Sequence, residues 1–335
     1  MTRGGFAKLA LCAASVMLGT GQSPPATDPD QPTPPPAATD LASPSPAQID
    51  RVMLDEDGSD RFTVPVRIGT NGPYPFLIDT GAQATIVSER LAAKLAIPSS
   101  GSAVIVSTAS TRQVPTIRLP DLAFANRTIP PLDAPMLQFH HLGVDGILGL
   151  DALQDLRVLI DFRDGHMDVV DARDKKPDGR FDIIVRARAI KGHMIIADAR
   201  IDGIRTAVII DTGAQISVGN FALRDRMRSR DLGEVAGIDV LGTDYSGRVS
   251  FARRVDLGRL QMGNLPIAFV ESPAFAQLGY SDTPALLLGV GSMRQLDRVA
   301  IDFVRRSVLF DIPDDVMRRA LPASLDRRRT YATAP

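Results

Sequence analysis

Tryptophan is absent from this 335-residue chain, cysteine occurs once, histidine four times, and aromatic residues make up only 5% of it. A single cysteine excludes a disulfide framework and a cysteine-built zinc or iron–sulfur site. The four histidines (His140, His141, His166 and His193) fall short of the spaced clusters that most metal centres use, so neither metal nor cofactor is expected. An excess of one charge is missing as well. Thirty-eight Lys+Arg face 39 Asp+Glu, a net charge of −1, and no global basic field points to nucleic acid. The apolar run at residues 9–18 holds ten residues, about 15 Å of helix and half of a bilayer core. What remains is ordinary globular usage, 44% hydrophobic and 23% charged, which excludes a disordered, collagen-like or polytopic membrane chain.

The ends read as an address, a spacer and a tail. Arg3 and Lys8 precede the apolar run, and the small residues Gly19, Thr20 and Gly21 follow it, the pattern of a cleavable signal peptide over residues 1–21. The expected location is therefore periplasmic or extracellular, with no membrane span once the leader is removed. Residues 22–48 are Pro, Ala, Ser, Thr and Asp with almost nothing to bury, and are expected to be a solvated linker. Arg318, Arg319, Arg327, Arg328 and Arg329 make a basic tail over residues 314–335, read as a solvated charge run.

Between those ends the chain repeats itself. Phe76-Leu77-Ile78-Asp79-Thr80-Gly81-Ala82-Gln83 returns 132 residues on as Val208-Ile209-Ile210-Asp211-Thr212-Gly213-Ala214-Gln215. Upstream lies an alternating strand in each copy, with Phe62, Val64, Val66 and Ile68 in the first and Ala197, Ala199 and Ile201 in the second. Asn71-Gly72 and Asp202-Gly203 are hairpin-turn signals. Downstream, Ser88 and Asn220 are helix caps, each opening a short helical pattern through Leu91 and Leu95 or Leu223 and Met227. Gly146-Ile147-Leu148-Gly149 matches Leu286-Leu287-Leu288-Gly289 at an offset of 140, and residues 157–162 match 298–303 at 141. The growing offset predicts about eight extra residues in the second copy, in the loops around 231–237 and 272–283. Residues 173–179 read as the link, so lobes at 49–172 and 180–313 are expected, each of short β-strands with one or two short helices.

A lone Asp-Thr-Gly usually marks a turn at a strand end. Two in equivalent repeats ask for chemistry. Each Asp follows an apolar run, which places a carboxylate at the end of a buried strand, costly unless compensated. A pseudo-two-fold axis between the copies would bring Asp79 against Asp211 to share one proton, because like charges about 3 Å apart cannot both ionise cheaply. One carboxylate then acts as base toward water while its neutral partner donates to a carbonyl oxygen. Gly81 and Gly213 let each loop approach its mate, and Thr80 and Thr212 offer bracing hydroxyls.

This constellation resembles the aspartic peptidases, most closely the retropepsin-like (retroviral-type) family in a single-chain bacterial form. The matching motifs are the two Asp-Thr-Gly-Ala runs and the two apolar-apolar-Gly segments, Ile147-Leu148-Gly149 and Leu287-Leu288-Gly289, and the likeness covers about residues 60–311. It implies a mainly β, bilobal acid-protease-like fold with a cleft between two pseudo-two-fold-related lobes. It further implies hairpin flaps over the cleft, placed here at 107–113 and 242–248. Asp79 and Asp211 are implied as catalytic, and Thr80 and Thr212 as the hydroxyls that tie the loops together. Each apolar-apolar-Gly segment is implied to pack beneath the loop of its own half. Leu150 and Val290 depart from the polar residue common in viral enzymes, and Asp151-Ala152-Leu153 differs from Gly291-Ser292-Met293.

Tyr245, in the second flap, is read as a substrate contact or an ordinary turn tyrosine. His140 and His141 are expected to point apart on a strand or surface loop rather than to bind metal. Asp161 and Asp302, which recur before Phe162 and Phe303, are expected to be structural. The function expected is that of an exported, monomeric aspartic endopeptidase acting on protein or peptide. The alternatives are a catalytically silent peptide-binding module of the same fold and a structural cell-envelope protein.

Overall fold

The computed structural model describes residues 62–125, 127–172, 181–229 and 231–313, with backbone strands also at Leu9–Leu11, Ser15–Met17 and Asp50–Met53. The expected spacer, interlobe link and basic tail, and most of the leader, lie outside the described residues. Leu9–Leu11 pairs in parallel with residues 237–239, and Ser15–Met17 pairs antiparallel with residues 104–106. Among the described residues, no helix is long and apolar enough to cross a membrane.

The fold is mainly β and bilobal, as the resemblance implied. In the first lobe Thr63–Ile68 runs antiparallel to Asn71–Ile78, with Val64 opposite Phe76 and Val66 opposite Tyr74. Phe62, Val64, Val66 and Ile68 are all buried, as their alternation predicts. The turn falls at Gly69-Thr70 rather than Asn71-Gly72, because Asn71 already pairs with Ile68 across a bulge. In the second lobe His193–Ile201 pairs with Ile204–Asp211. Its turn is at Asp202-Gly203 as predicted, with both residues at positive φ (48° and 84°), as a two-residue type I′ connection requires.

Each Asp-bearing strand lies beside a parallel strand of the apolar-apolar-Gly segment. Ile78 faces Leu148 of Gly146–Leu148, and Ile210 faces Leu288 of Ala285–Gly289. Strands buried on both faces read as continuous apolar runs rather than alternating ones. Phe76, Ile78 and Leu148 join the main core, while Leu77, Ile86 and Ile147 join a second cluster beneath the flaps. Ser88 Oγ accepts from the Leu91 amide (3.1 Å) to open the helix Glu89–Lys94. Asn220 Oδ1 accepts from Leu223 (3.0 Å) to open Phe221–Arg224. Each lobe holds three short helices instead of one or two, the others being Phe139–Leu142, Leu150–Leu153, Pro273–Gln277 and Val290–Met293.

The flaps are longer than predicted. The first is Ser99–Val106 paired with Thr111–Leu119, and the second is Asp231–Asp239 paired with Asp244–Leu257. Residues 231–237 are thus flap strand, equivalent to 99–105, and hold no insertion. Met136 and Phe269 occupy equivalent places beside Val87 and Gly219, at an offset of 133, whereas Gly149 and Gly289 stand 140 apart. The seven extra residues therefore fall after Phe269, where the helix Pro273–Gln277 sits within the predicted 272–283 loop.

A six-stranded sheet joins the lobes. Leu156–Asp161 runs antiparallel to Arg298–Asp302, with Leu159 directly opposite Ala300. These two residues are repeat equivalents, and a residue that meets its own equivalent lies on the pseudo-two-fold axis. Asp302 is fully buried in this sheet, held by Arg157 Nε and Nη2 (3.0 and 2.9 Å) and by Arg305 Nη1 (2.9 Å). Asp161 accepts from the Asp164 amide (2.8 Å).

Candidate active site

The two Asp-bearing strands end at Asp79 and Asp211, both 0% exposed. Asp79 Oδ1 accepts from the amides of Gly81 (2.7 Å) and Ala82 (3.0 Å), and Asp211 Oδ1 from those of Gly213 (3.0 Å) and Ala214 (3.1 Å). Each loop thus turns back onto its own carboxylate. The Thr80 amide donates to Thr212 Oγ1 and the Thr212 amide to Thr80 Oγ1, both at 3.1 Å. Thr80 Oγ1 in turn donates to the Ile210 carbonyl and Thr212 Oγ1 to that of Ile78, both at 2.8 Å. Four reciprocal bonds across a 132-residue repeat put this pair on the axis too. Gly81 has no room for a side chain, since a Cβ there would stand 2.6 Å from Asp211 Oδ1. Burial, then the neighbouring Asp79 charge, hold the Asp211 carboxyl well above the ordinary carboxylate range, against the pull of its two loop amides.

Support comes from beneath. The Asp79 amide donates to the Leu148 carbonyl (3.1 Å), and Leu150 donates to Ala82 (2.8 Å). In the second lobe Val290 donates to Ala214 (2.7 Å) and Gly291 to Gln215 (3.1 Å). The position after each glycine contributes its amide, which is why apolar Leu150 and Val290 serve. A Cβ on Gly149 or Gly289 would lie 2.4 or 2.5 Å from the backbone of Ala84 or Ile216. The divergent segments also share one task. Asp151 accepts from Thr85 Oγ1 (2.7 Å), whose oxygen accepts from the Gly149 amide (3.3 Å). Ser292 bonds Ser217 (2.6 Å), whose oxygen accepts from the Gly289 amide (3.1 Å). Burial raises the Asp151 carboxyl, opposed by its Thr85 bonds.

Two features were invisible in the linear pattern. His193, 1% exposed, faces the Thr80 backbone at a geometry short of a full hydrogen bond. Burial lowers its pKa to about 4, so the imidazole is neutral near pH 7. Lys191, two residues earlier, accepts at its carbonyl from Gln83 Nε2 (3.2 Å), so this second-lobe turn meets the first catalytic-type loop. The other feature is a set of polar contacts between the flap tips, from Ser107 and Ser110 to Asp239. Tyr245 lies in the second flap and packs on the second-lobe apolar cluster of Ile209, Val270 and Leu287. His140 and His141 do not point apart on a strand. They sit in the helix Phe139–Leu142 with ring centroids 3.9 Å apart, because successive helical residues turn only part-way round the axis. Away from the loops, Asp161, Asp164 and His166 bring ligand atoms within 4.8 Å of one another, at positions where the second copy carries Asp302, Arg305 and Ser307.

Two mirrored Asp-Thr-Gly loops, cross-tied by threonines and each laid over an apolar-apolar-Gly strand, are consistent with a β-rich bilobal protease fold. Consistent with that class, residues 64–152 match the aspartyl protease family. The match spans the first lobe through its apolar-apolar-Gly segment and stops short of the second Asp-Thr-Gly. No curated protein is similar enough to the chain to be matched with it.

Proposed function

We propose that this protein is an aspartic endopeptidase of the retropepsin-like type, built as two lobes in one chain, with Asp79 and Asp211 as its catalytic pair. The reciprocal Thr80–Thr212 bonds carry the reading, because they hold two buried carboxylates back to back across the axis. One carboxylate takes a proton from water as the oxygen attacks the scissile carbonyl carbon, and its protonated partner donates to the carbonyl oxygen. As that tetrahedral adduct collapses, one of its hydroxyls returns a proton to the partner carboxylate, the C–N bond breaks, and the amine leaves with the proton held by the base. Gly81 and Gly213 shape the loops, while the flaps, with Tyr245 as a contact, cover an extended peptide. Both halves are in one chain, so a monomer suffices. The leader pattern supports export, and nothing in the proposed chemistry calls on a cofactor or nucleic acid.

The test is cleavage of a casein-type mixture and of a peptide library, with and without a transition-state mimic of aspartic peptidases. Inhibited, concentration-independent specific activity is expected. Binding of the mimic without cleavage would instead indicate a silent module. Specific activity that rose steeply with enzyme concentration at nanomolar levels would overturn the monomer.

A further inference from the structure

The flap tips meet on the same axis as the catalytic pair. Ser107 and Asp239 are repeat equivalents, 132 residues apart, and they touch: Ser107 Oγ donates to Asp239 Oδ2. By the same geometry that places Leu159 with Ala300 and Thr80 with Thr212, this contact lies on the line that passes through the catalytic loops. Asp239 is 1% exposed and its carboxylate is caught from both flaps. Ser110 Oγ, from the first flap, also reaches Oδ2 (2.8 Å), while the Leu241 and Thr243 amides of its own flap donate to Oδ1 (3.0 and 2.8 Å). Thr243 Oγ1 bonds Ser110 Oγ (3.0 Å), and Arg112 of the first flap donates to the Leu241 carbonyl (2.8 Å).

Two identical chains would have to set Asp against Asp or Ser against Ser at this point. A pair of carboxylates would repel, and a pair of hydroxyls would lack the charge that strengthens the bond. One continuous chain is free of that restriction, and here it sets one acid against two hydroxyls. The same tip carries Val240 and Leu241, 1% and 3% exposed, into the first-lobe cluster with Ile105 and Leu142.

We propose that Asp239 is a positioning residue that latches the two flaps shut over Asp79 and Asp211, and that substrate gains the cleft by releasing it. The consequence for substrate rests on the peptidase reading; the latch does not. Hydrogen exchange of the full-length protein tests it without any assay of cleavage. Asp239→Ala is expected to speed exchange about tenfold in residues 107–110 of the opposite flap, as loss of a charge-assisted bond implies. The loops at 79–82 and 211–214 should keep their protection. Ser107→Ala, a milder change, should speed exchange at 240–243. Because the contact lies on the axis, the exchanged pair Ser107→Asp with Asp239→Ser should restore protection to both tips. If Asp239→Ala loosened only residues 240–243, the carboxylate would be a local turn brace and the latch would be wrong. An exchanged pair that stayed loose in an otherwise protected fold would overturn the axial placement. In peptide cleavage, Asp239→Ala should lower KM several-fold, because the competent open state is more populated. An unchanged KM with loosened flaps would overturn the gating role. A wild-type protein that neither cleaved peptides nor bound the mimic would defeat the peptidase reading and leave the exchange result standing.

Discussion

Leu241 and Ala109 hold equivalent places at the tips of the two flaps, yet only one of them fills its surroundings. Leu241 is 3% exposed and borders a cavity of about 210 Å³ in the first lobe, beside Arg112 and His141. Ala109 borders one of about 530 Å³ in the second lobe, lined by Phe221, Val270, Pro273 and Phe275. The seven extra residues that carry the helix Pro273–Gln277 are part of that larger wall. At the two Asp-Thr-Gly loops no such inequality exists, and the threonine bonds read 3.1 and 2.8 Å on each side. The proposed mechanism, in which two carboxylates share a proton, needs both to be held alike, within about half an ångström. A cover needs only to close, so the flaps were free to diverge.

That contrast can be broken most severely at the dyad. Asp79→Asn and Asp211→Asn should each lower turnover by orders of magnitude, because in the proposed mechanism one group supplies the base and the other the acid. A carboxyl held above its unfolded pKa loses stability as pH rises through the folded value, so Asp211→Asn should melt no lower than wild type at pH 7. Retained activity in either folded variant would remove the shared-proton assignment.

Next come substitutions of mirrored residues. Leu148→Ala and Leu288→Ala, both at fully buried positions, should each cost about 2–5 kcal/mol. Thr80→Val and Thr212→Val should cost less, about 1–3 kcal/mol each, with a loss of rate, while Thr212→Ser stays active. Melting curves and cleavage rates would show whether the two members of each pair behave alike. A large effect on one side and none on the other would mean that the loops are not equivalent.

His193 belongs to one half only, and its effect is one of pH. Its folded pKa of about 4 lies below the unfolded value of 6.5, so the unfolded chain binds the proton first. Its stability contribution is full above pH 6.5 and falls away toward pH 4, by about 3 kcal/mol. Melting temperature should drop across that window in wild type, and the His193→Met variant should lose that part of the slope. Parallel curves for the two proteins would acquit His193. The smallest effect is expected at the flap tip, where Ala109→Leu, which copies its mate, should raise stability by about 0.5–1 kcal/mol in a melting curve.

Much of this architecture was legible in the chain. The repeated Asp-Thr-Gly after apolar runs marked the two strand ends, and Ser88 and Asn220 marked the helices that follow, because capping and burial are local demands. The first hairpin turn was misplaced by two residues because Gly72 looks like a turn residue, whereas a bulge in the pairing keeps it within the strand. The flap strand at 231–239 read as a loop insertion, since its outer residues are polar and mostly exposed. His193 carried no periodic signal. Its burial beside Thr80 depends on a turn reaching across from the other lobe.

Sequence by itself determined the two halves, their catalytic-type loops and the strands beneath them, because each is a short-range pattern written twice. Only the tertiary structure decided which equivalents meet. Leu159 with Ala300, Thr80 with Thr212 and Ser107 with Asp239 all touch across the axis. A repeat offset states that two residues are equivalent but not that they lie close together. Contact arises only when both lobes are packed around one line, and there an unlike polar pair, Ser107 and Asp239, becomes a charge-assisted bond that two identical residues could not make.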